Sequence, residues 1–420
     1  MSASRVVVLK QGLCSWTDAT LVSCGRFYPQ RNCSSAHDRL EFYAKQLPCV
    51  EVDTSNYAIP QKKANEEWIK AVPTGFVLHF KAYGLCTLMS VPTGSLPWQV
   101  RDELSDMLKL KEQIAQSDLT DAQIDKVFAA QNDALAKFHD AGKLGVVVFQ
   151  FQANHKCSDD VWTYVLKCRA LLDKRFTMAV EFRATSWFDA ANVAATLKRC
   201  RDAGIVLIGV DELIESEQSK HKKSLVVVGD VASERDVGVG LPPKKVFVCV
   251  QTVPDQIVVR VHRRVGDERR LSADELREWH DAIVHVAKQS TAPTTTVWML
   301  WNSNHEDHSI VNANELAKLF TKADGVDVYD WKGILREREL GSKKSILGFF
   351  GKKPAAVPAA AAAASLSSSA AATTTAAAAV TSASAGAKAN TAGASAMETP
   401  SPKKARTGDA VDDEDPLLNF

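Results

Sequence analysis

The chain has 420 residues, 45% of them hydrophobic, and 51 basic side chains against 50 acidic ones leave a formal charge of +1. That balance excludes a bulk electrostatic grip on nucleic acid or an anionic membrane, and the length suits one large domain with an appendage. From Gly351 onward 24 of 70 residues are alanine and the single aromatic is Phe420, so core-forming side chains belong to the first 350 residues.

Short apolar runs predict strands at Val6–Gly12, Cys49–Asp53, Phe76–Lys81 and Leu144–Gln152, then at Thr177–Arg183, Ile205–Val210, Ile257–His262 and Thr296–Asn302. Amphipathic spacing predicts helices at Ala36–Gln46, Ala64–Ala71, Asp121–Ala141, Ser158–Leu172, Ala190–Ala203, Ala273–Lys288 and Asn312–Ala323. Strand and helix alternate through the domain, as in an α/β (β/α)8 TIM-type barrel; a doubly wound open sheet has the same periodicity. Ala82–Lys143 and Asp211–Gln256 are too long for simple connections. The second holds KSLVVVGD and KKVFVCVQ, read as extra strands or a competing register for strand six.

The expected organisation is a barrel over 1–340, a short docking motif over 341–353 and a disordered Ala/Ser/Thr-rich tail over 354–420. The nine cysteines form no C-x-x-C pair, which argues against a disulfide framework or a thiolate zinc site. The start, MSASRVVVLK, lacks the apolar core of a signal peptide, and no apolar run has spanning length. A soluble protein of a reducing compartment, with no membrane partner, is expected.

Polar residues gather at the strand ends. Glu51 and Asp53 flank Val52, His79 and Lys81 flank Phe80, and Gln150 and Gln152 flank Phe151. Glu181 and Arg183 flank Phe182, Arg260 and His262 flank Val261, and Asp211 and Asn302 close two more strands. Side chains at i and i+2 of a strand share a face, so these pairs point into the barrel at the end where active sites of this fold lie. Lys81, Arg183 and Arg260 suit a phosphate, with Gln150 and Asn302 as further binding groups. Glu51, Glu181 and Asp211 are expected to position a water, directly or through a divalent metal of unassigned identity, with His262 as acid or base. His305 and His308 stand just past strand eight, where a metal would recruit them. Trp16, Trp187 and Trp301 are candidates for stacking a base or sugar ring.

The same residues carry a resemblance. Gly12-Leu-Cys-Ser-Trp16, Phe27-Tyr-Pro29, Leu40–Ala44, Val50–Tyr57, Pro73-x-Gly-Phe76, Lys81 and Gln150 resemble blocks of the YecE-like family, domain of unknown function seventy-two. Val180-Glu-Phe-Arg183, Ser186-Trp187, Val259-Arg-Val-His262, Trp301-Asn302 and Asn312-Ala313 continue the match in the family's order. The resemblance implies a TIM-type barrel with its site at the strand ends and supplies no reaction. Departures are Leu13, Cys14 and Ser15 where the family has Thr-Ser-Gly, and Arg263 in place of a glycine.

Past the barrel, Ile346, Phe349 and Phe350 have the i, i+3, i+4 spacing of an apolar plug on one helical turn. Ser345-Ile-x-Gly-Phe-Phe350 resembles the PIP box that docks replication and repair proteins on the sliding clamp PCNA, with Lys343 where glutamine is usual. Pro402–Arg406 reads as a weak nuclear import signal beside a proline-directed phosphorylation site at Ser401. The expectation is a nuclear, clamp-associated protein of DNA replication or repair that reaches DNA through the clamp and acts as a hydrolase of phosphate esters. A small-molecule enzyme of sugars or sugar phosphates and a non-catalytic adaptor are the alternatives.

Overall fold

The computed structural model describes residues 5–29, 31–211, 223–236, 246–262, 270–303 and 305–350. Eight parallel strands hydrogen-bond side to side around a closed ring. They are β1 (Val6–Leu13), β2 (Cys49–Val52), β3 (Val77–Lys81), β4 (Leu144–Phe151) and β5 (Thr177–Phe182). The ring continues through β6 (Val206–Leu207 and Gly209–Val210), β7 (Gln256–Val261) and β8 (Thr294–Trp301), which pairs with β1. This is the TIM-type barrel, and the open-sheet alternative falls away because β8 returns to β1.

Closure depends on β6. Its first half pairs with β5 and its second half with β7, with Ile208 between them donating to Val180 O at 2.9 Å. Gly209 is required here, because a Cβ would lie 2.4 Å from Val248 O of the strand packed outside.

Helices α1 (Ala36–Tyr43), α2 (Lys62–Ala71), α3 (Asp121–Asp140), α4 (Asp159–Leu171) and α5 (Val193–Asp202) follow strands β1 to β5. Helices α6 (Ala273–Gln289) and α7 (His308–Leu319) follow β7 and β8. Capping boxes begin three of them: Ser35 with Asp38, Thr120 with Gln123, and Ser272 with Glu275 each satisfy backbone N–H groups that have no helical acceptor. Along α6, Leu276, Trp279, Ile283 and Val286 are buried, the stripe that 3.6-residue periodicity turns toward the barrel.

After β6 a three-stranded sheet, Lys223–Val228, Val231–Asp236 and Val246–Cys249, stands where the repeat would place a helix. KSLVVVGD and KKVFVCVQ are therefore extra strands. After β8 the chain lays Asp327–Val328 along the lower part of β1 and enters α8 (Trp331–Phe350). Trp331 anchors this return: it is buried and its indole donates to Ala44 O at 2.8 Å. Ile346, Phe349 and Phe350 lie on the backbone of α8, which crosses residue 340 without a break; their side chains lie outside the described residues. The tail over 354–420, Ser401 and the basic cluster included, also lies outside them. Among the described residues no helix is long and apolar enough to cross a membrane.

Candidate functional site

At the C-terminal ends of the strands the inward polar side chains form one network centred on Arg260. Its Nε donates to Glu51 Oε2 at 2.9 Å and its Nη2 to Glu51 Oε1 at 2.7 Å, a two-pronged pairing of guanidinium and carboxylate. Nη1 donates to Gln150 Oε1 at 2.9 Å and to Glu181 Oε2. The remaining proton of Nη2 faces Cys14 Sγ at 4.0 Å. Arg260, Glu51 and Glu181 are all essentially without solvent exposure. The sequence pattern offers Arg260 to a phosphate; in the structure each of its N–H donors already faces a protein acceptor.

His262 joins the network from the same face of β7. Asn302 lies 3.0 Å from Nδ1, Glu181 Oε1 lies 3.0 Å from Nε2, and Arg260 Nη1 lies 3.3 Å from Nε2. Since both Nη1 protons go to Gln150 and Glu181, Nε2 carries the imidazole proton and donates it to Glu181, while Nδ1 accepts from the Asn302 amide. Burial pushes His262 down to about 3, against the pull of Glu181, so the ring is neutral near pH 7. Asp211 Oδ1 accepts from the His262 backbone N–H at 2.7 Å, fixing the strand end that carries the ring.

Glu181 also accepts from Arg183 Nη1 at 3.2 Å. Burial alone would raise its pKa, but Arg260, His262 and Arg183 together hold it well below the usual carboxylate range. A carboxylate so strongly ionised is a poor proton carrier at neutral pH. Both oxygens of Glu51 and Oε2 of Glu181 thus face Arg260, while Oε1 of Glu181 faces His262 and Arg183. Among the described residues the side chains that converge with metal-ligand spacing are His305, Glu306 and His308.

Three groups look outward from this floor. Arg183 is 18% exposed and, among the described residues, makes one ion pair, to Glu181. Lys81 is half-buried, and its ammonium has no hydrogen-bond or ion-pair partner among the described residues; burial, and next the charge of Arg260, lower its pKa. Asp53, half-buried just past β2, is raised to about 6, chiefly by burial and then by Glu51, against the field of Lys81. A carboxylate and an ammonium both displaced toward neutrality are suited to moving protons. The polar pattern names Asp53 without selecting it; the signal is its burial, which only the fold supplies.

The tryptophans stand elsewhere. Trp187 and Trp301 are fully buried, so neither offers a ring face to a ligand. Trp187 stacks on Phe182 at 3.9 Å and donates to His155 O, while Trp301 donates to Gln11 at 3.1 Å. Trp301 belongs to the layer between strands and helices, because one step from Asn302 along the strand reverses the face, and Trp187, on the short turn past β5, joins that layer by stacking on Phe182. Trp16 is 5% exposed, packs edge-on against Trp68 and donates to Ala36 O at 2.9 Å. His79 also leaves the network. Its ring lies 4.7 Å from Trp298, and Nδ1 accepts from Val146 N–H at 3.1 Å. Trp298 pairs in register with Val258, one inward layer below Arg260. Arg263 lies outside the described residues.

Comparison with known proteins matches residues 10–332 to the model described as "Protein of unknown function DUF72". The UPF0759 protein YunF of Bacillus subtilis is 27% identical over 324 residues, covering 73% of this chain and 93% of that protein. The crystal structure of a DUF72 family protein from Enterococcus faecalis superposes with a TM-score of 0.50 at 20% identity, over 74% of this chain and 97% of that one. A DUF72 family protein from Thermotoga maritima gives 0.48 at 17% identity, over 75% and 99%.

Proposed function

Because the chain belongs to the DUF72 family, whose description names no reaction, its chemistry is argued from its own barrel mouth, and we propose a clamp-tethered hydrolase of phosphate esters acting in DNA replication or repair. The reading rests on Lys81, a half-buried ammonium without a protein acceptor among the described residues, beside an Asp53 raised to about 6. A cation held in that state is stabilised by an anionic group of the substrate. Arg183 supplies a second, partly exposed cation.

In this reading Lys81 and Arg183 hold the phosphate, and the Arg260 network is the rigid floor that fixes both. Asp53 takes a proton from a water as the water oxygen bonds to phosphorus. The P–O ester bond breaks, and the departing oxygen takes its proton from Lys81. The balanced charge of the chain leaves little affinity for a duplex, so a tether would raise local concentration; the apolar triad Ile346, Phe349 and Phe350 supplies it. The basic cluster at Pro402–Arg406 supports a nuclear location.

The full chain is assayed on bis(4-nitrophenyl) phosphate, abasic DNA and a sugar phosphate, beside Lys81→Met and Asp53→Asn. Loss of about 100-fold or more in either variant is expected, as for removal of an acid–base group. Equal turnover in all three proteins sinks the enzyme reading; turnover of the sugar phosphate alone moves the substrate to small molecules. For the tether, calorimetry compares PCNA binding by the full chain and by a Phe349→Ala/Phe350→Ala variant. No heat from the unchanged chain overturns it.

A further inference from the structure

We infer that the loop joining β8 to α7 is a divalent-metal site separate from the Arg260 network, with His305, Glu306 and His308 as ligands for an ion of the zinc class. One ligand atom from each lies within 4.8 Å of the others, a spread that small side-chain rotations close onto a single ion. The two imidazole rings stand edge to face, 4.9 Å between centres. His308 Nδ1 is buried and has no hydrogen-bond partner among the described residues, although an imidazole nitrogen removed from water ordinarily finds one. Two imidazoles and one carboxylate suit a borderline cation that keeps open positions, whereas magnesium and calcium prefer oxygen donors.

The loop is held in shape for this. Glu306 has φ +47°, a left-handed backbone that a residue with a Cβ adopts only when its surroundings impose it. Its N–H donates to Thr20 Oγ1 at 2.7 Å, and its carboxylate meets Arg26, which also donates to Asp307 Oδ1 at 2.7 Å. Two carboxylates against one guanidinium leave the loop with a net negative charge to attract a cation. Arg26 occupies Glu306 when no ion does, so metal and arginine compete for that carboxylate while Asp307 keeps the arginine in place. The loop opens on the C-terminal face of the barrel, three residues past Asn302, which contacts His262.

The test uses the full chain, with zinc content measured after dialysis and zinc affinity by calorimetry. One zinc per chain is expected. His305→Ala and His308→Ala should each weaken binding by about tenfold or more, and Glu306→Gln by less. Arg26→Ala should tighten it, an effect that a merely structural arginine would not produce. Cobalt provides a readout independent of the variants: nitrogen and oxygen ligation gives visible d–d bands without the near-ultraviolet thiolate charge-transfer band. A chain that retains no zinc, a His305→Ala/His308→Ala variant that retains as much as the parent, or a cobalt–thiolate band would each overturn the site. Because these readouts are independent of Lys81 and Asp53, failure here leaves the hydrolase reading untouched, and the converse holds.

Discussion

Arg260 and Glu51 meet prong to prong across the mouth of the barrel, with Nε 2.9 Å from Oε2 and Nη2 2.7 Å from Oε1. The two residues are 209 apart in sequence and lie on strands β7 and β2, so only a closed ring brings them together. Glu181 approaches the opposite edge of the guanidinium, and the cation sits between two carboxylates without solvent exposure.

Removing that cation strands both carboxylates. Arg260→Met should destabilise the fold by about 3–5 kcal/mol, the range for breaking a buried pair from one side. Adding Glu51→Gln should recover part of the loss, because one buried charge is then gone. Urea unfolding of the three proteins decides; an Arg260→Met variant as stable as the parent would mean the network contributes nothing to the fold.

Acid should destabilise the protein, and the sign follows from the buried groups. His79 and His262 fall from 6.5 to about 3, both mainly through burial, so their contribution is present above 6.5 and is lost as pH falls toward 3. Glu181, held well below 4.5, loses its contribution in acid as well. Asp53 acts in the opposite direction: raised from 3.8 to about 6, it stabilises the fold below 3.8 and loses that contribution as pH rises through 6. Two histidines with the larger shifts outweigh one aspartate, so the melting temperature should decline from pH 6.5 downward. Asp53→Asn should raise it at pH 7.5 and leave it nearly unchanged at pH 3.5. A melting temperature flat across this range would contradict the burial of the two rings.

Gly145 makes room for His79. A Cβ there would lie 2.4 Å from Nδ1, the atom that accepts from Val146 N–H. Gly145→Ala should cost about 1–3 kcal/mol, as overpacking of a filled interior does. In a His79→Ala background the same change should cost much less, and the coupling between the two is the measured quantity. Additive losses would place the ring elsewhere.

Thiol chemistry reports on the same interior. Seven of the nine cysteines are buried, Cys24 and Cys157 being the partly exposed ones. Burial, then the charge of Glu51, pushes the Cys14 thiol well up, so a protonated sulfur faces Arg260. Iodoacetamide on the native chain should label Cys24 and Cys157 first and reach Cys14 only after unfolding. Mass spectrometry of the labelled peptides decides, and rapid native labelling of Cys14 would show an open mouth.

Much of this was legible in the chain, because strand parity is a local property. The i, i+2 rule turned Glu51, Glu181, Arg260 and His262 to one face, and they do share one site. The same rule puts Trp301 on the other face, whereas Trp187 stands past the end of β5 on a short turn that strand parity does not govern. The long gap after β6 left extra strands and a competing register for strand six both open, and the three-stranded sheet decides for the first. The spacing of Ile346, Phe349 and Phe350 marks a docking motif past residue 340; its backbone is the end of α8, a helix whose sequence mixes charge and apolar residues without a clear stripe.

What each polar group does was decided by the tertiary structure. Sequence fixes which face a side chain takes, since successive residues of a strand alternate, but not its height, which depends on how neighbouring strands are staggered. Stagger set His79 beside Gly145 and Trp298, below the network its spacing had assigned it to. It placed Arg260 level with Glu51, Gln150 and Glu181, and so turned an expected ligand donor into a floor. It left Lys81 and Asp53 half-buried at the rim, where partial desolvation, a property of the assembled mouth alone, brings both toward neutral pH.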